Sequence, residues 1–153
     1  QSGLSPKNTK NNGLFFYEYF DVTSMGLRTD TESLKFEDGK WLFATYALED
    51  SDLEKALYLM RQLNVALNRD INKLKRAVFT NNENSIPDQL KDYPRTNLII
   101  DSKDQLYNKL IIEDPEFFVG QKIFIVDPYG RAVMYFPVSM NPKLILKDLK
   151  VLI

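Results

Sequence analysis

The chain has 153 residues, 44% of them hydrophobic and 27% charged, which fits one globular domain whose core needs no metal or disulfide staple. Lys and Arg total 20 against 21 Asp and Glu, and a net charge of −1 gives no electrostatic case for nucleic acid as a partner. Cysteine and histidine are both absent, which disfavours thiol redox chemistry, cysteine or serine–histidine hydrolysis, Cys-ligated zinc and most transition-metal roles together.

Residues 1–12 are polar, rich in Asn, Lys and Ser, and read as a tether or flexible arm, with the domain proper expected over 13–153. The aromatic run Leu14-Phe15-Phe16-Tyr17-Glu18-Tyr19-Phe20 follows, an entry segment that must pack against the core, its outward members offering a partner surface. Leu27 to Phe36 is extended but ambiguous. Trp41 to Leu48 is a continuous apolar strand of the kind buried on both sheet faces. Ser51-Asp52-Leu53-Glu54 has the form of a capping box, with Ser51 as N-cap, opening a helix that buries Leu53, Ala56, Leu57, Met60, Leu63 and Leu67. The pattern then predicts a strand over Leu74–Thr80, and a short helix starting near Pro87 and ending before Pro94. A strand over Asn97–Ile100 and a helix capped within Ser102–Gln105 follow. Lys122–Val126 and Ala132–Phe136 flank the turn Asp127-Pro128-Tyr129-Gly130 and read as a hairpin; Pro142 begins a last helix with Leu144, Ile145, Leu149 and Leu152 on one side.

The order β-α-β-α-β-α-β-β-α combines parallel crossovers with a terminal hairpin. It predicts an α/β protein of thioredoxin-like fold, a central mixed β-sheet flanked by helices on both faces. Several ordered phrases resemble the Sco/SenC family, and within it a bacterial, membrane-anchored branch linked to cytochrome c oxidase assembly. They are Gly39-Lys40-Trp41, Ala56-Leu57-Tyr58-Leu59-Met60-Arg61-Gln62, Val126-Asp127-Pro128-Tyr129-Gly130, Tyr135-Phe136-Pro137 and Pro142 to Leu149. That family carries two cysteines, three residues apart, after its first strand; the matching positions here are Glu49 and Leu53. Its copper-binding histidine would fall around Val119 to Gln121 and is missing too. Thioredoxin-like redox sites also place a cis-proline loop near their cysteines, and here Gly120 precedes the strand without one. The resemblance therefore implies the fold and setting without the chemistry: no catalytic residue, no metal and no cofactor.

Other clusters have ordinary readings. Glu49, Asp50, Asp52 and Glu54 crowd the first helix start, where acids complement the helix dipole; a hard-cation site for calcium or magnesium is the alternative. Glu113, Asp114 and Glu116 read as a solvated loop. The eight tyrosines are dispersed among predicted elements and read as core or rim packing, while Met60 and Met134 match core periodicity. Lys73, Lys75 and Arg76, with Arg69 just before, read as solvated rim charges. The expected function is a non-catalytic thioredoxin-like binding module with a protein partner, oxidase subunits or assembly factors being those the resemblance implies. The expected partner surface comprises Phe15, Tyr17, Tyr19, Asp50, Gly120 and Gln121. The resemblance implies a bacterial periplasmic location, with membrane contact only through an N-terminal anchor outside this chain. A purely structural domain is the third reading.

Overall fold

The computed structural model describes residues 12–29, 32–49, 51–84 and 86–153. In chain order the elements are β1 (Leu14–Asp21), β2 (Leu27–Thr29), β3 (Glu32–Ser33), β4 (Trp41–Ala47) and α1 (Leu53–Ala66). A 3-10 turn at Asn68–Lys73 leads into β5 (Leu74–Thr80), α2 (Ile86–Gln89), β6 (Thr96–Asp101) and α3 (Gln105–Glu113). β7 (Lys122–Val126), β8 (Arg131–Pro137) and α4 (Pro142–Leu152) complete the chain. All the described strands join one mixed sheet of order β1-β8-β7-β4-β5-β6-β2-β3. β4, β5 and β6 run parallel, whereas β7 and β8 form the expected antiparallel hairpin.

The apolar run of β4 is continuous because helices cover both of its faces. Phe43 packs with Ala56, Met60 and Leu63 of α1 and with Ile145 and Leu149 of α4. Leu42, Ala44 and Tyr46 point the other way and pack with Leu106 and Leu110 of α3 and with Phe117. The predicted core residues of α1 are all buried; in α4, Ile145 and Leu149 are buried, but Leu144 is 40% exposed and stands outside the stripe.

The aromatic segment packs Phe16 and Phe20 into the core and turns Tyr17 outward, as expected, and it does so as an edge strand paired antiparallel with β8. Two local expectations need correction. The capping box does not form. Asp52 takes the N-cap position, Ser51 Oγ instead accepts from the Leu48 N–H at 2.6 Å, and Glu54 accepts from the Tyr93 hydroxyl at 2.7 Å. At α3, Asp104 sits at the N-cap but its carboxylate accepts from Asn81 Nδ2 at 2.8 Å instead of capping the helix, and the free amides of Leu106 and Tyr107 reach back to Asp101, at 3.3 and 2.9 Å. A longer-range tie holds the start of the described chain. The buried Asp148 carboxylate of α4 accepts from the backbone N–H groups of Asn12 and Gly13 at 2.6 and 2.7 Å. Residues 1–11, where the arm was expected, lie outside the described residues.

The hairpin turn depends on one carboxylate and one glycine. Asp127 Oδ1 accepts from the amides of Tyr129 and Arg131, each at 2.9 Å, while its Oδ2 takes the Arg131 guanidinium at 2.7 Å. Gly130 closes the turn with φ of +91°, and a Cβ there would collide with Thr23 Cγ2 and crowd the Phe36 ring. Gly130→Ala therefore combines a left-handed backbone penalty with overpacking and is expected to cost more than about 2 kcal/mol, read from urea unfolding midpoints.

Candidate functional site

The parallel strands end where α1 begins, and at this edge the loop after β4 meets the segment that leads into β7. Between them lies a cleft of about 260 Å3, lined by Tyr46, Ser51, Asp52, Phe118, Gln121 and Lys122 among others. Helix and strand termini leave backbone groups unpaired, so such an edge collects polar side chains. Gln121 Nε2 donates to Thr45 Oγ1 at 2.7 Å and to the Tyr46 carbonyl at 2.9 Å, and Thr45 Oγ1 in turn donates to the Lys122 carbonyl at 2.7 Å. The Lys122 ammonium donates to the carbonyls of Phe117, Val119 and Gly120, at 3.2, 2.7 and 3.3 Å. It thereby folds the 117–120 segment around itself, and Gly120 accommodates the turn with φ of +78°. Burial lowers the Lys122 pKa from its ordinary value, against the opposing pull of Asp114 and Glu116.

The cleft floor rests on a buried polar centre. The Tyr46 hydroxyl donates to Asp101 Oδ2 at 2.6 Å, and Asp101 is fully buried. Phe118 meets the Tyr46 ring edge-on at 5.5 Å and stacks on Tyr107 at 5.0 Å, so the aromatic wall is fixed from two sides. Burial first, and then the Asp101 carboxylate, push the Tyr46 pKa far above the ordinary tyrosine value. Tyr135, buried and donating to Asp114 Oδ2 at 2.8 Å, is raised by the same pair of causes, burial and its carboxylate.

The expected site residues divide. Gly120 and Gln121 line the cleft. Glu49 is exposed beside it, whereas Leu53 is only 2% exposed and packs inward with Ala47, Leu57 and Val78, so the two positions expected to match a cysteine pair face different surroundings. Asp50 lies outside the described residues. Phe15, Tyr17 and Tyr19 sit on β1, three strands away from β4 across the sheet, and Tyr17 is 88% exposed. The expected partner surface is therefore two patches. Among the described residues no three carboxylates gather closely enough to hold a cation. Sequence reasoning missed Tyr46, Asp101, Phe118 and Lys122. A tyrosine inside an otherwise apolar strand was the one available signal, because a buried hydroxyl needs a partner.

Chemically, the cleft is lined by an ammonium and a carboxamide whose donors are already engaged, one serine hydroxyl and the exposed Asp52, with no thiol or imidazole anywhere in the chain. The fold is thioredoxin-like, and no residue of this chain can carry thiol chemistry. Residues 47–153, well over half of the chain, match the family described as transmembrane-like, thioredoxin-like, C-terminal domain, and the chain belongs to that family. No curated protein sequence matches it. Among solved structures it is similar to the Sco1 protein of Thermus thermophilus in its apo form, with 11% identity, TM-score 0.60, and 92% of this chain and 96% of that one covered. It is similar to BsSco, a member of the Sco family of cytochrome c oxidase assembly proteins, at 17% identity and TM-score 0.56, with 92% and 95% covered. Peroxiredoxin Q of Xanthomonas campestris matches at 16% identity and TM-score 0.56 over 85% and 92%. At these identities the likeness is one of fold. Among the described residues no helix is long and apolar enough to cross a membrane.

Three outcomes follow from the geometry. Tyr46→Phe strips one donor from the buried Asp101 and is expected to cost about 1–3 kcal/mol at neutral pH. Tyr46 keeps its proton when folded at a pH where the unfolded chain ionises it, so the unfolded state binds fewer protons there. Stability is then intact below pH ~10 and falls as pH rises above it, by about 1.4 kcal/mol per unit for this group. Urea midpoints taken across that range should fall less steeply in Tyr46→Phe and in Tyr135→Phe than in the parent chain. Separately, Gln121→Ala should release the 117–120 segment and speed amide exchange there, while exchange in the strand centres stays slow.

Proposed function

We propose that this protein is a non-catalytic thioredoxin-like binding module, an accessory factor in respiratory cytochrome c oxidase assembly. The observation that carries the reading is the cleft itself. It stands where redox members of the fold place their thiols, yet its polar groups, Gln121 and Lys122, are spent on holding their own loop. A preorganised surface of this kind suits recognition, and it contains no nucleophile poised beside a base. The fold-level likeness to Sco proteins supports the oxidase setting by analogy, since folds host unrelated functions. In this reading Glu49 and Leu53 stand at the former cysteine positions. The domain comprises residues 13–153 behind a polar arm, 1–12. An N-terminal anchor outside this chain holds it on the periplasmic face of the inner membrane, in keeping with the transmembrane-like description of its family. The partner touches two places: the cleft rim around Asp52, Gly120 and Gln121, and the β1 patch of Phe15, Tyr17 and Tyr19.

The test is mild crosslinking of the full-length protein in its membrane, followed by extraction, affinity purification and mass spectrometry. Oxidase subunits or assembly factors are expected with the parent chain and should fall to background with Tyr17→Ala or Asp52→Lys. Both positions are exposed, so melting temperatures should stay within a few degrees of the parent. Recovery of no such protein, or recovery indifferent to both substitutions, overturns the reading.

A further inference from the structure

Arg76 was expected among the solvated rim charges, and it is not one. It lies in β5 with its side chain on the α1 face, the face of Val78, and is only 7% exposed. Its Nη1 is buried without a hydrogen-bond partner. A guanidinium keeps its charge and has five N–H donors to satisfy, so an unpaired buried one is expensive. Native structures rarely leave such a group without a reason, and an unfilled ligand position is one of the reasons.

The surroundings point to what would fill it. Arg76 forms part of a pocket of about 170 Å3, lined also by Lys40, Asn64, Asn72, Lys75 and Arg95. Four of these side chains are cationic. The carboxylate bonded to any of them, among the described residues, is Asp38, which is engaged by Lys75 Nζ at 2.8 Å and by the Lys40 amide at 3.0 Å. Among the described residues that leaves the guanidinium groups of Arg76 and Arg95 without an ion pair, and the Lys40 ammonium with only a through-space attraction to Asp38. Burial, followed by the like charges of Arg61 and Arg95, pushes the Arg76 pKa down. One wall is fixed rather than fluid: Asn64 Nδ2 donates to the carbonyls of Ile71 and Leu74, at 3.1 and 3.3 Å, and holds the 3-10 turn against α1.

We propose that this pocket, at the N-terminal ends of β5 and β6, binds a phosphate group. The planar fork of an arginine matches a tetrahedral oxyanion, with two parallel N–H donors directed at two oxygens. Arg76 is the floor, while Lys40 and the exposed Arg95 close over the anion from the mouth. The volume is below the roughly 300 Å3 at which sites for drug-sized ligands begin, so the pocket takes the phosphate alone and not a nucleotide around it. The strands run from this pocket toward the Tyr46 cleft, so the two sites occupy opposite ends of the sheet, and this one stands independently of the binding-module reading. The phosphate is either the free ion or the headgroup of an anionic phospholipid.

Inorganic phosphate is titrated into the protein by calorimetry and followed by thermal melting, with sodium chloride of equal ionic strength as the control. Saturable binding and a phosphate-specific rise in Tm are expected, since a ligand that binds only the folded state stabilises it. Arg76→Met should abolish both. In phosphate-free buffer this variant should melt at or above the parent temperature, because an unpaired buried charge has been removed. Arg95→Ala, at an exposed position that leaves the fold intact, should weaken binding about tenfold, the loss of one charge-assisted contact. Sedimentation with phosphatidylglycerol vesicles, against phosphatidylcholine ones, separates the sources. Vesicle binding that is lost in Arg76→Met and competed by phosphate identifies the lipid headgroup, and its absence beside phosphate binding identifies the free ion. A phosphate response no larger than the chloride control, or full binding by both variants, overturns the proposal.

Discussion

Asp101 is the buried charge around which this fold is arranged. With no exposed surface, its carboxylate accepts from the Tyr46 hydroxyl and from the amides of Leu106 and Tyr107. An ionised carboxylate taken out of water costs several kcal/mol unless such donors replace the lost solvent. Meeting that demand fixes three elements at once: β4 through Tyr46, β6 through Asp101 itself, and α3 through its first free amides. The aromatic wall of Phe118 and Tyr107 follows, because both rings pack on the tyrosine that Asp101 holds.

The cleft inherits its shape from that centre. Its far wall is the 117–122 segment, whose carbonyls converge on Lys122 and whose Gln121 reaches across to β4. In a redoxin this edge presents a thiolate to solvent, stabilised by the amides of a helix start. Here α1 starts without a side-chain cap, and Ser51 turns its hydroxyl oxygen toward Leu48 instead. The polar groups at the edge thus serve the loop before they serve any ligand.

The two ends of the parallel strands carry opposite electrostatics. At the C-terminal ends, Asp52, Asp101 and the acids near α1 set the tone, with Lys122 folded into backbone carbonyls. At the N-terminal ends Lys40, Arg76 and Arg95 gather, and the carboxylate bonded there among the described residues, Asp38, is already engaged by Lys75. A chain with nearly balanced total charge therefore holds a concentrated positive pocket. Net charge averages over this separation and hides it.

The sequence alone determined the layered plan. A strand whose apolar run is nearly unbroken must have both faces covered, and the crossover lengths and the Asp-Pro-Tyr-Gly turn set parallel strands beside a terminal hairpin. It also determined what the chain cannot do, since a missing thiol or imidazole cannot be supplied by folding. Only the tertiary structure decided which polar residues matter. Asp101 read as the end of a strand because its partner Tyr46 lies 55 residues away. Ser51 read as a cap because the pull of Leu48 on its hydroxyl depends on how the loop turns. The aromatic run read as an entry segment because nothing within it names β8 as its neighbour. Arg76 read as a surface charge because α1 and the 3-10 turn bury it only once the chain has closed. Local patterns report how a residue sits in its own element; burial and pairing are set by elements distant in sequence, and those govern the energetics of every polar group at this protein's two sites.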